Sequence, residues 1–497
     1  MAYNIETSNL ATRESRIGSI TGYIGSMSDL IEQTKCGTLK GCDRCFSQSS
    51  MCLAGCALAQ LGTLRDVAVI HDGPSGCSAT SVGEYVLTKQ VADRDGLVNH
   101  AVYVGTDLNE KDTIFGSAES LKDITVEIYH RYHPKALFVS SSCTTGIIGV
   151  DIDSVVDELR QEITDVPVIA VHCEGFKSRM WASGMDIAGH AILQLVKPPK
   201  ERTNRINIIN FYGSLKKEIT EMFHSFDLDP VFLYANASIE ELETLSEAIC
   251  TCATCGTVSQ YLANGLEELY GVPFSRTINP CGVEGFETWL RGIARITHRE
   301  EVVEAYIAEQ RALYMPQIED IKKELQGLHA VIGMGPGYTF EVSRVLAELG
   351  IQIDWALAWH YDKQYDNGEI PPSVQFLDEH KIDFEASVAD QQNYEVMNIL
   401  NHFKPDVYFS RHPGTAVWAM KQGVASVFVA DEYMIYGHKR TLEFAQTILN
   451  TIRNRSFERN LAKRTSVPYT DWWYEQKVDT FFEEGKDNGK NNRQAAV

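Results

Sequence analysis

No stretch of 18 consecutive apolar residues occurs in the sequence, which argues against a membrane-spanning helix. The opening, MAYNIETSNLATRESRIGS, lacks the apolar core of a secretory signal, so the expected location is the cytoplasm. A G-x-x-x-x-G-K-[ST] phosphate loop is also missing, so ATP, if the reaction needs it, is expected to be handled by another protein. Cations are in short supply: 45 Lys and Arg stand against 67 Asp and Glu, a formal net charge of −22. Phosphate binding is driven by Lys and Arg, so nucleic acid is not the expected partner. Cysteine, by contrast, is plentiful at 12. A disulfide framework does not suit a chain without a secretory signal. Metal binding or redox chemistry is the better class for these thiols, with several serving only as small buried hydrophobes.

A length of 497 residues and a hydrophobic content of 44% allow about three domains with substantial cores. RDVAVI, KALFVSSS and VPVIAVHC read as buried strands, with helical spacing in SVVDELRQEIT and DIAGHAILQLV. The alternation restarts at RINIINFYG and DPVFLYA, then at LHAVIGMGPG, IQIDWALAW, DVYFSR and ASVFVAD. Strands separated by helices predict parallel sheets with right-handed crossovers. The expected architecture is α/β, with three doubly wound Rossmann-like domains around a metal-cluster cleft. The expected bounds are an N-terminal extension (1–45), α/β domains at 46–203, 204–326 and 327–450, and a helical C-terminal arm and tail (451–497).

Ligands of open α/β sheets bind outside the carboxyl ends of the strands. Cys77 follows strand VAVIHD through the turn GPSG, and Cys143 follows strand ALFVSSS. Cys52 lies upstream, where a loop can fold over the same edge. Three soft thiolates there suit an iron–sulfur cluster or zinc. Both usually want four protein ligands, so three from one chain suggest that the rest come from another subunit.

The spacing of Cys52 and of GPSGC at Cys77, followed by SSSCTTGIIGVDIDSV at Cys143, resembles component 1 of nitrogenase and its relatives. The resemblance implies that these cysteines supply one subunit's half of an eight-iron P-cluster at an interface with a β-like partner, in an α2β2 heterotetramer. A second segment, TCATCGTVSQYLANGLEELYGVPF, resembles the α-subunit stretch whose cysteine ligates the terminal iron of the active-site cofactor. That position falls on Cys255, with Tyr261 in register. Cys250 and Cys252 on the same stretch have no assigned role. A helix N-terminus at Cys255 would lower the thiol pKa and favour ligation.

The departures from the family pattern bear on the reaction. CEGFKSRMWASGMDIAGHAI resembles the stretch that points a Gln and a His at the reacting face; here those positions are Trp181 and Met185. His190, five residues after Met185, is expected on the helix surface and away from that face. The family's second cofactor anchor is a His; DEYMIYGHKRTLEFAQTI puts Tyr436 there, with His438 two residues away as the other candidate ligand. Arg411 and His412, in YFSRHPGT, fall in the loop where the resemblance implies a basic residue holding an organic acid such as homocitrate. An arginine there can clamp a carboxylate bidentately. Gly333, Gly335, Gly337 and Tyr338, in GMGPGYTFEV, correspond to the glycine-rich loop against the cofactor. Glycines let backbone approach a bulky cluster and place N–H groups on its sulfides.

That loop also resembles a dinucleotide fingerprint, with Asp354 nineteen residues after Gly335, but Tyr338 occupies the third glycine position and the fingerprint fails. Cys36, Cys42 and Cys45, in CGTLKGCDRC, form a separate candidate metal site or a loop with partly exposed thiols. The aromatics of PYTDWWYEQ are expected to serve packing or subunit contacts. Together these residues imply the catalytic α-like subunit of a nitrogenase-like reductase, fed by a separate ATP-hydrolysing [4Fe-4S] iron protein. With Trp181 and Met185 in the pocket, the expected analogue is methylthio-alkane reductase, which cleaves C–S bonds of small thioethers to methanethiol and a hydrocarbon. The alternatives are a cofactor-assembly scaffold and a divergent dinitrogen-reducing α subunit. The heterometal is not fixed by the sequence.

Overall fold

The computed structural model describes residues 3–42, 52–79, 89–211, 215–234, 236–389, 393–411, 413–429, 434–467 and 469–478. The first strand, β1 (Gly22–Ser26), is taken up below. β2 (Val67–His71), β3 (Val102–Gly105), β4 (Ala136–Ser140) and β5 (Val168–Val171) form a parallel sheet in the order β3-β2-β4-β5. β6 (Thr203–Ile209), β7 (Asp229–Phe232) and β8 (Ala248–Ala253) form a second, ordered β7-β6-β8. β9 (His329–Met334), β10 (Gln352–Ala358), β11 (Glu385–Ala389), β12 (Val407–Ser410) and β13 (Ala425–Phe428) form the third. Its order is β1-β11-β10-β9-β12-β13, parallel except for the edge strand β1. Sequential strands in these sheets are joined through helices, as the alternation of patterns predicts.

Burial explains why the strand pattern is legible. β2 and β4 are buried at every position and β9 at every position but the first, so they read as continuous runs of Val, Ile, Ala and Phe. The four strands the sequence analysis does not single out are β1 (GYIGS), β3 (VYVG), β8 (AICTCA) and β11 (EASVA). β1, β8 and β11 are built largely from Gly, Ser, Ala or Cys, residues with little intrinsic preference for a strand, whereas β3 is made of strand-favouring Val and Tyr but is only four residues long and half-buried throughout. Their pairing partners, rather than their side chains, define them.

Strand order decides where sites can form. In each sheet the chain leaves one central strand to one side and later returns to its other side. This reversal lies between β2 and β4 in the first sheet, β6 and β8 in the second, and β9 and β12 in the third. The loops leaving these strands diverge and open a crevice at the carboxyl edge. Cys77 and Cys143 follow β2 and β4, Cys255 follows β8, and Gly335 and Arg411 follow β9 and β12.

The described N-terminal residues join the third sheet. β1 pairs antiparallel with β11, Gly22 opposite Ala389, and covers an otherwise open edge. Upstream, Arg13 is fully buried. Its Nε lies 3.0 Å from Asp186 on the helix Ser183–Leu193, and its Nη1 lies 3.7 Å from Asp362 beyond β10. Its Nη2 donates to the Thr257 carbonyl on the helix Gly256–Tyr270. Arg16 adds contacts to Asp186 (2.5 Å) and Asp366, and its guanidinium lies 4.8 Å from the Tyr261 ring centroid. Burial pushes the Asp186 carboxyl up to about 6 against the pull of Arg13 and Arg16. At the other end of the chain, Tyr469 stacks on Trp473 at 4.3 Å, and the Trp473 carbonyl accepts from Asn398 at 3.3 Å, so part of the aromatic arm is internal packing.

Removing Arg13 would strand the buried carboxylates it faces, whereas an exposed pair such as Lys217–Glu221 has water as a substitute. Arg13→Ala is therefore expected to cost about 3–5 kcal/mol, and Lys217→Ala about 0–1 kcal/mol. Urea titrations of the two variants followed by tryptophan fluorescence measure the difference; equal midpoints would show that the buried network contributes nothing.

Candidate metal centres

The first site is the thiol trio. Cys52 is the N-cap of helix Leu53–Gly62, its Sγ accepting from the Gly55 N–H at 3.4 Å. Cys143 is the first residue of helix Cys143–Ile148, whose Ser142–Thr145 capping box fixes the turn out of β4. Cys77 lies on the short helix Ser75–Ala79 after β2. The edge beneath is braced by polar bonds: His71 Nδ1 to Ser140 Oγ (2.9 Å), and Asp72 accepting from Ser117 (2.6 Å) and Thr106 (2.8 Å).

The three thiols converge. A Cβ added at Gly175 would sit 3.3 Å from the sulfurs of both Cys52 and Cys143, so those sulfurs lie no further apart than twice that distance. The Cys77 thiol is pushed up by burial first and then by its neighbours Cys143 and Cys52. Among the described residues, no group of three or more His, Cys, Asp or Glu side chains is gathered tightly enough to hold a single metal ion. Tetrahedral thiolates on one ion stand about 3.8 Å apart, given metal–sulfur bonds near 2.3 Å. At Gly175 the glycine leaves the space beside the Cys52 and Cys143 sulfurs free of a side chain. The trio is also open: Cys52 is exposed, and Cys77 and Cys143 are partly so. Around it Ile147 is 76% and Phe176 57% exposed, and the adjoining helix Glu110–Phe115 ends in exposed Ile114 and Phe115. Large apolar side chains left in solvent around such a site mark a surface that a partner would cover.

Cys173 lies under the trio but faces inward. It is fully buried, its Sγ contacts the Ser141 carbonyl at 3.2 Å, and burial pushes its thiol well above the ordinary range.

The second site surrounds Cys255, the N-cap of helix Gly256–Tyr270. Cys250 and Cys252 precede it as buried residues of β8, so all three cysteines leave or line one strand. Against the lowered thiol pKa expected at a helix N-terminus, burial pushes the Cys255 thiol up to about 11, although the Val258 N–H and Arg411 pull the other way. Metal ligation would take that proton, since the ligand form is the thiolate. Opposite stands the helix Pro336–Glu348 with Gly335 as its N-cap, so two helix N-termini face one space. Gly337 comes closest: a Cβ there would lie 2.6 Å from Cys255 Sγ. Asn279 ties the walls together, its Oδ1 accepting from the Gly256 N–H at 2.8 Å and its Nδ2 donating to the Gly337 carbonyl at 3.5 Å. The glycine-rich loop thus meets Cys255. Cys281, not singled out in the sequence, is buried near Cys255 and pairs with Tyr436 through the backbone.

The other predicted residues are placed by their own contacts. Arg411 lies 3.9 Å over the Tyr338 ring and donates to the Val429 carbonyl at 3.4 Å. Met185 is buried in the cluster that includes Cys255 and Tyr338, and Trp181 packs against that cluster. The Trp181 ring meets Trp359 at 6.0 Å and His360 at 6.1 Å, both edge to face. Tyr436 is buried as the N-cap of helix Gly437–Arg453. His438 is also buried, its Nε2 2.9 Å from Glu287, and its Nδ1 has no partner among the described residues. Although burial works against it, His438 and Arg311 hold the Glu287 carboxyl down at about 2. An imidazole braced by a carboxylate on one nitrogen and open on the other is the usual form of a metal-binding histidine. His412 and Cys45 lie outside the described residues; Cys36 is exposed and Cys42 half-buried.

The placement of His190 is corrected too. His190 is not on the helix surface but 3% exposed. Its Nε2–H donates to the Thr7 carbonyl (2.6 Å), leaving Nδ1 to accept from the Tyr261 hydroxyl (2.9 Å). The N-terminal segment that buries it is not visible in helical periodicity.

Cys52→Ala, Cys77→Ala and Cys143→Ala should each lower iron content and loosen association with a second subunit, read by metal analysis and size-exclusion chromatography. Gly337→Ala should lower iron while leaving that association intact, because its methyl group occupies the Cys255 cleft. Unchanged iron in all four variants would refute both assignments.

A comparison with protein-family patterns matches residues 52–453 to nitrogenase component 1 type oxidoreductase. The molybdenum–iron protein alpha chain of Clostridium pasteurianum is 28% identical over 358 residues, covering 69% of this chain and 66% of that one, just under two thirds of its length. The iron–molybdenum cofactor biosynthesis protein NifE of Methanococcus maripaludis is 28% identical over 370 residues, covering 72% of this chain and 74% of its own. A solved chain of nitrogenase Cp1 at pH 5 superposes with a TM-score of 0.67 at 22% identity, over 87% of this chain and 94% of that one, and shares the fold. No helix among the described residues is long and apolar enough to cross a membrane. With the matched region running from the first thiol of the trio to the end of the helix that carries His438, the chain belongs to the nitrogenase component 1 type oxidoreductases.

Proposed function

We propose that this chain is the cofactor-bearing, α-type subunit of a nitrogenase-like reductase whose pocket takes a small apolar substrate. The observation that carries this reading is the Cys255 cleft, where a buried thiol at one helix N-terminus faces a glycine loop at another with no side chain between them. A complex iron–sulfur cofactor, when bound, would supply low-potential electrons there. Cys255 would hold it at one end and His438 through Nδ1 at the other, with Arg411 and His412 beside an organic acid. The Cys52, Cys77 and Cys143 trio would share an eight-iron cluster with a β-like subunit, in an α2β2 assembly fed by a separate ATP-hydrolysing iron protein.

The substrate class follows from Trp181 and Met185. A thioether has no proton to give, and an indole N–H is a donor but not a useful acid. Dinitrogen reduction needs protons delivered at each step from a group within reach. A methylthio-alkane needs less: R–S–CH3 with two electrons and two protons gives R–H and CH3SH. Its methyl groups would gain about 0.8 kcal/mol per buried carbon from the apolar wall.

The relatives named above support two other readings more directly than they support C–S cleavage: a dinitrogen-reducing alpha chain and a cofactor-biosynthesis protein. The three are separated by what the purified complex does with an iron protein and ATP. Methanethiol from a methylthio-alkane supports the pocket argument, ammonia refutes it, and release of the cluster to an acceptor without turnover identifies an assembly scaffold. Met185→His combined with Trp181→Gln is expected to lower thioether turnover at least tenfold and proton reduction much less. Equal loss of both activities would show that these two side chains do not select the substrate.

A further inference from the structure

Two buried N–H groups near the Cys255 cleft have no acceptor among the described residues: Trp181 Nε1 and His360 Nδ1. Their rings meet edge to face, 6.1 Å apart and at 81°. His360 is 2% exposed and lies just beyond β10; its neighbour Trp359 comes within 3.5 Å of the position a Cβ would take at Gly335. On its other side His360 meets Arg13, whose Nη2 contacts the carbonyl of Thr257, two residues from Cys255. The imidazole therefore stands between the Trp181 wall and the Arg13 clamp.

Its tautomer follows from its neighbours. His360 Nε2 faces Arg13 Nη1 at 3.5 Å. A guanidinium only donates and keeps its protons in proteins, so Nε2 accepts. Asp362 Oδ2 stands 3.8 Å from Nε2, beyond hydrogen-bond length, while Oδ1 of the same carboxylate accepts from Ser19 at 2.6 Å. The ring proton is left on Nδ1. Burial, helped by Arg13 and opposed by Asp362, holds the imidazole pKa down at about 4, so the ring is neutral near pH 7. A buried N–H without an acceptor is destabilising unless a ligand supplies one.

We propose that His360 is a hydrogen-bond donor, through Nδ1–H, to an electron-rich sulfur in the Cys255 cleft, with Trp181 Nε1–H as a second donor and Arg13 as the residue that fixes the tautomer. This rests on the reading that the cleft holds an iron–sulfur cofactor. The sulfur is a cluster sulfide or the sulfur of a substrate; both are soft acceptors that gain negative charge on reduction. Donors to such sulfur favour the reduced state and raise the potential. Because Nε2 is occupied by a group that cannot hand over a proton, His360 holds its proton rather than relaying it. It does not replace the acid that Met185 lacks.

The test uses the purified complex carrying His360→Leu, His360→Asn or Trp181→Phe. Asn keeps an N–H close to the place of Nδ1; Leu does not. Iron content is measured first, then the midpoint potential of the active-site cofactor in a substrate-free, EPR-monitored redox titration, then KM for a sulfur-containing substrate. A lower potential in Leu, recovered in Asn and shared by Trp181→Phe, places the donor on a cluster sulfide. An unchanged potential with a several-fold rise in KM in Leu, recovered in Asn, places it on substrate sulfur. Equal effects of Leu and Asn on either readout, or no effect on both, would overturn the proposal. Should Leu fail to take up cofactor, loading of Asn supports the donor role, and failure of Asn as well would mean that packing alone is at work. Absence of any cleft cofactor in the unmodified complex would overturn the cofactor reading and this proposal together, and shows itself in the iron analysis before any variant is compared.

Discussion

The guanidinium of Arg13 is the contact on which the geometry of the cleft depends. It reaches Asp186 on the helix that follows the first sheet, the Thr257 carbonyl on the helix that follows β8, and Asp362 beyond β10 of the third sheet. One side chain thus touches structure carried by each of the three sheets, from a segment that precedes them all. A rigid planar fork suits this task, because its donors point in different directions and its charge does not depend on pH. The cost of taking it out of water is offset only because carboxylates and a carbonyl meet it from several sides. With the walls held this way, Gly337 can approach Cys255 at a distance that would be a collision for any other residue.

Strand order supplies the second constraint. A parallel sheet wound in both directions opens a crevice where the winding reverses, and each sheet here sends chemically distinctive residues to that place. In the first sheet they are thiols at an open edge with apolar side chains around them; in the second and third they are a buried thiol and a glycine turn that face each other. Helix N-termini recur at Cys52, Cys143, Cys255 and Gly335. Their N–H groups and positive dipole ends favour anionic sulfur, though at Cys255 burial outweighs that pull.

Much of this was legible in the sequence, for physical reasons that can be named. The buried central strands announce themselves by continuous apolar runs, and the cysteines by their position after those runs. The glycine loop was legible because only glycine allows such an approach. What could not be read was anything that depends on residues far apart in the chain. Arg13 and Asp186 are both charged, and nothing in their local sequence says that they meet in the interior. His190 follows a helical period that suggests the surface, yet Thr7 and Tyr261 enclose it. His360 sits at the end of a well-marked strand, but its significance lies in a missing acceptor, which only the packed structure reveals. β8 escaped notice because Ala and Cys carry most of its strand positions.

The pairing of β1 with β11 has a consequence for the order in which the molecule can be completed. Gly22 emerges from the ribosome early, and its partner Ala389 comes 367 residues later. At 5–20 residues per second, the first strand waits roughly 20 to 70 s for the edge it will cover. Asp362 and His360 arrive only shortly before that edge, so for most of synthesis Arg13 lacks one of its three attachments. The first two sheets can gather their own strands during that interval, whereas β12 and β13 of the third sheet follow Ala389 in the chain. The closing of the three sheets into one clamped body is therefore a late event in the life of the nascent chain, and the space between them stays accessible until β1 meets a strand made 367 residues after it.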